Sequence, residues 1–137
     1  MNDARREQIL IADDDPSIRR MLALSLRKEG YRTADARDGG EALEAMRAGQ
    51  TDLVLLDLMM PKVTGWDVLA ERAAAPELRK IPVIVITAER GDRVATILDD
   101  RTCALLPKPF ELATLRALVK SSLQGHEGRR PPADPVD

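Results

Sequence analysis

Five short apolar runs alternate with stretches of helical periodicity along the chain, and this alternation constrains the fold more than any other feature. Four of the five runs are apolar at consecutive positions, whereas a half-exposed strand would alternate apolar and polar residues. Consecutive apolar positions are typical of parallel strands that are covered by helices on both faces. The runs lie at positions 9–12, 31–35, 53–56, 81–86 and 103–106. The pattern predicts a doubly wound α/β sheet built from five βα units.

The first three predicted helices begin at side chains that suit a helix N-terminus. Asp15 followed by Pro16 indicates an N-cap and a first helical position. A second helix opens after Asp38, and Thr64 with Asp67 resembles a capping box for a third helix. These helices are expected to end, in chain order, at Gly30, at Gly49 and before Pro76.

Apolar spacing predicts two further helices and a single domain. Positions 94–98 and positions 112–123 both carry apolar residues at helical intervals. We therefore assign residues 8–124 to one domain, which leaves residues 1–7 as a short N-terminal extension. Residues 125–137 are rich in proline and glycine without apolar periodicity, and we expect a disordered tail or the stub of a linker there.

The composition argues against several classes of function. Lys and Arg number 21 and Asp and Glu number 23, so the net charge of −2 supplies no basic field for direct nucleic-acid binding. Aromatic residues make up 2%, which disfavours a site built on aromatic stacking. The single Cys103 and the single His126 leave little basis for a disulfide framework, a zinc site or a Ser–His–Asp triad. No apolar run approaches the roughly 20 residues of a membrane span, so we expect a cytoplasmic protein without membrane insertion.

Polar side chains follow four of the predicted strands at the point where each strand ends. Acidic residues occupy positions 13–15 after the first strand, and Asp57 follows the third. Thr87 ends the fourth strand, and Lys108 comes just after the fifth. Because the carboxyl ends of parallel strands meet at one edge, where open α/β sheets bind their ligands, we expect these side chains to share one crevice.

The predicted crevice has the chemistry for making and breaking an acyl phosphate. Clustered carboxylates repel each other, and a hard divalent cation with oxygen ligands, such as Mg²⁺, resolves that conflict. One carboxylate could then attack phosphorus while the metal and Lys108 neutralise the developing charge. The Thr87 hydroxyl could donate a hydrogen bond to a phosphoryl oxygen.

Four segments of the chain resemble those of the receiver domains of two-component response regulators, the CheY-like family. They are ILIADDDPSIRRML, LVLLDLMMPKVTGWDVL, IPVIVITAE and LLPKPF. Each segment alone is a weak signal, but the four occur in the right order and each lies at a strand end. The resemblance covers the chain from about residue 8 to residue 123. It implies a flavodoxin-like sheet with the strand order 2-1-3-4-5 and a signalling switch rather than a classical enzyme. From the length of 137 residues we expect a stand-alone receiver, with a fragment of a longer regulator as the alternative.

The resemblance also implies roles for individual acidic residues. Asp57 corresponds to the phosphoryl-accepting aspartate. Asp13 and Asp14 correspond to the acidic pair that holds Mg²⁺ together with Asp57, with Asp14 as the preferred direct ligand. The backbone carbonyl of Met59 corresponds to a further metal ligand.

Further expectations follow from the resemblance. Thr87 and Lys108 would contact the phosphoryl group, the Lys108–Pro109 bond would be cis, and Gly65 would be the loop glycine after the acceptor strand. The implied partners are a histidine kinase or a histidine phosphotransferase, which donates the phosphoryl group, and a downstream protein target. The implied switching face lies near the fourth helix, the fifth strand and the fifth helix. A phosphorylation-dependent dimer is also compatible with the resemblance.

The sequence departs from the family pattern at two places. Three residues before the lysine the family usually has Tyr or Phe, whereas this chain has Leu105. A Gly-Ala-Asp-Asp segment is common before the fifth strand, whereas residues 101–104 are Arg-Thr-Cys-Ala. We therefore expect a receiver that can be phosphorylated but signals through an altered fourth-helix face.

Two alternative functions fit parts of the sequence. Asp13 and Asp15 match the D-x-D motif of phosphatases of the haloacid-dehalogenase type, although Pro16 falls within the motif and few acids follow the lysine strand. Asp15 is better explained as a helix cap. The second alternative is a receiver-like docking module that no longer needs phosphate, which the complete acidic site disfavours.

Overall fold

The computed structural model describes residues 6–127. The strands are β1 Gln8–Ala12, β2 Arg32–Ala36, β3 Leu53–Asp57, β4 Val83–Thr87 and β5 Cys103–Pro107. The helices are α1 Pro16–Lys28, α2 Gly39–Arg47, α3 Gly65–Ala74, α4 Pro76–Arg79, α5 Asp92–Ala95 and α6 Leu112–Glu127. A 3₁₀ helix, Thr96–Asp99, follows α5 directly, and the two together are named the segment 92–99 below. Most of the predicted tail, 125–137, lies outside the described residues, whereas α6 continues to Glu127.

The strands form one parallel sheet in the order β2-β1-β3-β4-β5, which confirms the predicted topology. Every residue of β3 and β4 is buried. The register pairs Ala12 with Leu56 and Asp57 with Ile86. The residues that follow these pairs are therefore neighbours at the carboxyl edge of the sheet.

Each face of the sheet packs against its own set of helices. Ile9 and Ile11 of β1 face the core beneath α1 and α6, whereas Leu10 and Ala12 face the core beneath α2 to α5. Burying such an aliphatic side chain stabilises the fold by roughly 1.5–3 kcal/mol. Two buried faces explain why the strand residues are apolar at consecutive positions.

The predicted caps of the first and third helices are confirmed. The Asp15 carboxylate accepts hydrogen bonds from the backbone amides of Ser17 at 2.8 Å and Ile18 at 3.4 Å. Thr64 and Asp67 form the complete capping box at the start of α3. These caps fix where α1 and α3 begin, and both helices begin next to the acidic edge of the sheet.

The predicted fourth helix differs from the observed one. Only Asp92–Ala95 is α-helical, and the chain continues as the 3₁₀ helix Thr96–Asp99. Val94 and Ile97 are buried three residues apart, a spacing that suits a 3₁₀ helix, whereas Leu98 is exposed. The single turn of α4, which was not predicted, has Pro76 at its start and is too short to show periodicity.

A buried arginine organises the opposite, amino edge of the sheet. Arg72 of α3 is 1% exposed, and its guanidinium donates to two backbone carbonyls and to three side chains. The acceptors are the carbonyl oxygens of Arg79 and Ile81, both at 2.9 Å, and the side chains of Asp100, Thr102 and Cys103. Two of these side chains lie in the segment 101–104, where the sequence departs from the family pattern. The residues that differ from the family pattern therefore include two hydrogen-bond partners of Arg72.

Candidate metal-binding site at the carboxyl edge of the sheet

The carboxyl edge of the sheet gathers three of the predicted carboxylates. Asp13 and Asp14 follow β1 directly, and Asp57 is the last residue of the adjacent β3. One carboxylate oxygen from each of the three lies within 4.8 Å of the others. The spacing is small enough for one cation to contact all three side chains.

Backbone amides hold the two buried carboxylates of this cluster in place. Asp13 is 4% exposed and its Oδ1 accepts a hydrogen bond from the Asp15 amide at 2.9 Å. Asp57 is 5% exposed and its Oδ1 accepts from the Met59 amide at 3.0 Å. Each side chain therefore has one anchored oxygen, and its Oδ2 atom is left for another partner.

Lys108 supplies the positive charge nearest to these oxygens. Its Nζ atom lies 3.8 Å from Asp13 Oδ2 and 3.7 Å from Asp57 Oδ2. Both distances exceed the about 2.7–3.2 Å of a hydrogen bond, so the ammonium attracts the carboxylates without binding either directly. The arrangement leaves the charge of the cluster only partly compensated.

Burial and the neighbouring negative charges together raise the pKa of the Asp13 carboxyl above its ordinary value of 3.8. Burial is the largest cause, and the neighbouring carboxylates of Asp57 and Asp14 act in the same direction. The Asp15 amide and Lys108 lower the pKa without reversing the shift. A hard divalent cation bound among the three carboxylates would favour the ionised form, and the oxygen-only ligand set fits Mg²⁺.

Thr87 lies at the end of β4, one residue after Ile86, which pairs with Asp57. The side chain is buried, and its Oγ1 accepts a hydrogen bond from the Glu89 amide at 3.0 Å. The Lys108 amide donates to the Thr87 carbonyl at 2.9 Å, so the predicted hydroxyl and ammonium groups are tied together through the backbone. The Lys108–Pro109 bond is cis, as the resemblance implied.

The loop after Asp57 passes very close to the start of α3. A Cβ atom on Gly65 would overlap the carbonyl oxygen of Asp57 and the Cα of Leu58. The Gly65 amide donates to the Leu58 carbonyl at 3.1 Å, which holds the two segments together. A side chain at Gly65 would therefore push the end of β3 and the Asp57 carboxylate out of position. The Met59 side chain is exposed, whereas its amide contacts Asp57 as described above.

Sequence reasoning did not assign a role to Arg19. Its Nη1 donates to the backbone carbonyl of Asp13 at 2.6 Å, and its Nε lies 3.4 Å from the Asp35 carboxylate. The Arg19 side chain therefore holds the backbone of the turn between β1 and α1 in place. The available signal is the spacing of Arg19 four residues after Asp15, which places it on the first turn of α1.

The position of Asp15 bears on the phosphatase alternative. That hypothesis requires Asp13 and Asp15 to act together at the site. Asp15 instead caps α1, and the group of carboxylates that could share a cation is Asp13, Asp14 and Asp57. The observed geometry argues against the haloacid-dehalogenase alternative.

A doubly wound sheet of this order, with a carboxylate cluster beside a lysine at its carboxyl edge, defines the receiver class of signalling proteins. The family model for the response regulator receiver domain matches residues 9–120, and the chain belongs to this family. Receiver domains are signalling switches rather than classical enzymes. Among residues 6–127, no helix combines the length and apolar character needed to cross a membrane.

Known proteins agree with this assignment. The DNA-binding response regulator MtrA of Mycolicibacterium smegmatis is 40% identical over 127 residues, which cover 91% of this chain and 54% of that protein. A CheY-like receiver domain protein from Methanospirillum hungatei superposes with a TM-score of 0.80 at 26% identity, covering 90% of this chain and 98% of that one. The response regulator TrrA of Thermotoga maritima, solved in complex with Mg²⁺ and BeF, gives 0.73 at 32% identity, with 85% and 99% covered. The chain spans about half the length of the curated relatives it matches.

Proposed function

We propose that the chain is a phosphorylation switch in which Asp57 accepts a phosphoryl group. The observation that carries the proposal is the environment of Asp57. One of its carboxylate oxygens is anchored by the Met59 amide, and the other lies 3.7 Å from the Lys108 ammonium beside two further carboxylates. A fixed carboxylate with one oxygen facing the Lys108 ammonium is arranged as a nucleophile.

The proposed reaction transfers the phosphoryl group from a phosphohistidine. An oxygen of Asp57 attacks phosphorus, the bond between phosphorus and the donor imidazole nitrogen breaks, and the imidazole leaves after taking up a proton. Lys108 would contact a phosphoryl oxygen and lower the charge that develops during transfer. The Thr87 hydroxyl, which here accepts a hydrogen bond from the Glu89 amide, would donate a hydrogen bond to another phosphoryl oxygen.

The residues proposed to hold Mg²⁺ are the carboxylates of Asp13, Asp14 and Asp57 and the backbone carbonyl of Met59. The response regulator TrrA of Thermotoga maritima supports this proposal, because that protein was solved with Mg²⁺ and BeF. When bound, the metal would offset the charge of the carboxylates and of the transferred group. The exposed position of Asp14 and the burial of Asp13 agree with a direct role for Asp14 at the mouth of the crevice.

The proposed donor is a histidine kinase or a histidine phosphotransferase, and the proposed readout is a downstream protein target. The switching face is proposed to lie near β5, the segment 92–99 and α6, with Leu105 in place of the usual aromatic residue. Because histidine kinases use cytoplasmic ATP, the proposal also places the chain in the cytoplasm. The relative MtrA is a DNA-binding regulator. For residues 8–124 we propose instead that the domain acts through contact with another protein, either as a monomer or as a dimer.

Intact-mass analysis tests the acceptor assignment. The chain is incubated with a small acyl phosphate and Mg²⁺, and we expect the mass to rise by one phosphoryl group. The gain should be lost in Asp57→Asn and without Mg²⁺. It should persist in Asp99→Asn, whose parent carboxylate is exposed and outside the cluster. Phosphorylation of Asp13, or unchanged labelling of Asp57→Asn, would refute the proposal.

A further inference from the structure

We propose that Trp66, Glu89 and Arg93 form a coupling unit that carries the state of Thr87 to the surface between α3 and the segment 92–99. This set of three residues is named the Trp66 unit. The inference rests on the proposed function, since the event it transmits is phosphorylation of Asp57. It goes beyond that function by assigning the route through which the signal leaves the site.

The Trp66 unit is a continuous series of contacts that starts at Thr87. The Glu89 amide donates to Thr87 Oγ1 at 3.0 Å. The Trp66 indole nitrogen donates to the Glu89 carboxylate at 3.2 Å. The Arg93 guanidinium lies 3.9 Å from the centroid of the Trp66 ring, which is close enough for a cation–π interaction. The contacts thus connect the end of β4, the start of α3 and the start of α5.

The same short loop carries both ends of the connection. Glu89 uses its backbone to hold the Thr87 hydroxyl and its side chain to hold Trp66. A rotation of the Thr87 side chain toward a phosphoryl group on Asp57 moves Oγ1, so the Glu89 amide that donates to this oxygen must either move with it or lose the hydrogen bond. Gly91 follows with a φ of +115°, a conformation that L residues rarely adopt, and α5 begins at the next residue. Displacement of Glu89 is therefore passed to Trp66 and to the start of α5.

A space beside the loop gives it room to move. A cavity of about 190 Å³ is lined by Thr87, Arg90, Val94 and Leu105, among others. Leu105 is half-buried and its side chain has no polar group, so this side chain cannot form a hydrogen bond with the loop. Thr87 is instead hydrogen-bonded to the Glu89 amide, and the Glu89 side chain contacts Trp66 on the other side of the loop.

The surface that would change lies between α3 and the segment 92–99. A groove of about 330 Å³ opens there, lined by Trp66, Leu69, Ala73, Arg93 and Ile97, among others. Both Trp66 and Arg93 line this groove, so loss of the contact with Glu89 alters its wall. Phosphorylation at the buried site would therefore change the shape of this surface.

Tryptophan emission tests the coupling, because Trp66 is the single tryptophan of the sequence. The full chain is treated with a small acyl phosphate and Mg²⁺, and the emission spectrum is compared with the phosphorylated fraction from intact mass. We expect the emission maximum or intensity to shift with that fraction, and not with Mg²⁺ alone or in Asp57→Asn. Hydrogen exchange of residues 88–99 should change in parallel.

Two variants separate coupling from phosphorylation. Glu89→Ala removes the carboxylate but keeps the amide that contacts Thr87, and Arg93→Met removes the cation above the ring. Both should lose the phosphorylation-dependent change in emission and in hydrogen exchange of residues 92–99, compared at equal phosphorylated fraction. Glu71→Ala, matched in chemistry and placed on the far side of α3 in a surface pair with Arg47, should behave as the wild type.

Each outcome decides the proposal. Phosphorylation of Asp57 with unchanged emission and exchange in the wild type overturns the coupling and leaves the proposed function intact. The coupling is also overturned if Glu89→Ala and Arg93→Met both show the full wild-type change in emission and exchange on phosphorylation. Failure to phosphorylate Asp57 overturns the proposed function and, with it, the coupling. Phosphorylation with a response that both variants lose and Glu71→Ala keeps supports the Trp66 unit.

Discussion

The two edges of the sheet both hold buried charge, but they satisfy it differently. At the amino edge, the Arg72 guanidinium donates directly to every acceptor around it. At the carboxyl edge, the Lys108 ammonium stays 3.7–3.8 Å from the Asp13 and Asp57 oxygens. Buried polar groups are normally satisfied within a folded protein, so an incompletely paired cluster indicates a place for a ligand. We infer that the contacts at the amino edge stabilise the fold, whereas the carboxyl edge is the candidate site for a ligand.

The largest expected effect is at the amino edge. Arg72→Met would leave the carbonyl oxygens of Arg79 and Ile81 and the Asp100 carboxylate without their donor. We expect the free energy of unfolding to fall by about 3 kcal/mol, because the backbone carbonyl oxygens that Arg72 satisfies would be left without a hydrogen-bond donor. Urea denaturation without Mg²⁺ measures the change.

Two further variants serve as comparisons for Arg72→Met. Asp57→Asn removes a charge from the unsatisfied carboxyl edge and should not lower stability in the absence of Mg²⁺. Arg47→Met breaks an exposed pair with Glu71 and should cost less than about 1 kcal/mol. A loss of stability in Asp57→Asn as large as that in Arg72→Met would contradict the contrast between the edges.

A second prediction concerns the close approach at Gly65. Gly65→Ala places a Cβ against the Asp57 carbonyl and should destabilise the fold by about 1–3 kcal/mol through overpacking. The same displacement should weaken Mg²⁺ binding, measured by calorimetry, because Asp57 belongs to the carboxylate cluster. Unchanged stability and unchanged Mg²⁺ affinity would show that the loop accommodates the methyl group.

The raised pKa of Asp13 predicts a smaller, pH-dependent effect. Below the ordinary carboxyl pKa of 3.8 the side chain is protonated in both the folded and the unfolded state. As the pH rises through the higher pKa of the folded state, the folded protein must ionise a buried carboxyl, so stability is lost. Asp13→Asn should therefore gain stability relative to the wild type as the pH rises from about 4.

Unfolding curves across a pH series without Mg²⁺ check this expectation. Added Mg²⁺ should stabilise the wild type more than Asp13→Asn, since the cation compensates the carboxylate that the variant lacks. A difference between the two proteins that stays constant with pH would argue against the assigned cause.

The smallest effect on stability is expected at Leu105. Leu105→Tyr extends the side chain into the adjoining cavity, so the free energy of unfolding should change by less than about 1 kcal/mol. If the signal runs through the Trp66 unit, the emission change on phosphorylation should persist in this variant. Its loss would place the route through β5 instead.

The features that could be predicted from the sequence are those that follow from repeated or regularly spaced residues. Consecutive apolar positions gave the buried parallel strands, and the strand ends predicted that Asp13, Asp57 and Lys108 would lie together. Arg72 was missed because a single arginine within a charged helical stretch has the same pattern whether it is exposed or buried. Its partners lie up to 31 residues away in sequence, so only the tertiary fold reveals the contact.

The segment 92–99 and Trp66 show a second limit of sequence patterns. Val94 and Ile97 supply too few buried positions to distinguish an α-helix from a 3₁₀ helix. Trp66 is a partly exposed residue at the start of α3. Its contacts with Glu89 and Arg93 join elements that are distant in sequence and carry no local signal.

Each of the three residues between β1 and α1 already takes part in a structural feature. Asp13 and Asp14 belong to the carboxylate cluster, and the next residue, Asp15, already caps the helix. A one-residue insertion would have to uncouple the acidic pair from the sheet or leave the first turn of α1 without its cap. Lengthening this connection is therefore incompatible with keeping both features, which makes its length as much a requirement for the switch as the acids themselves.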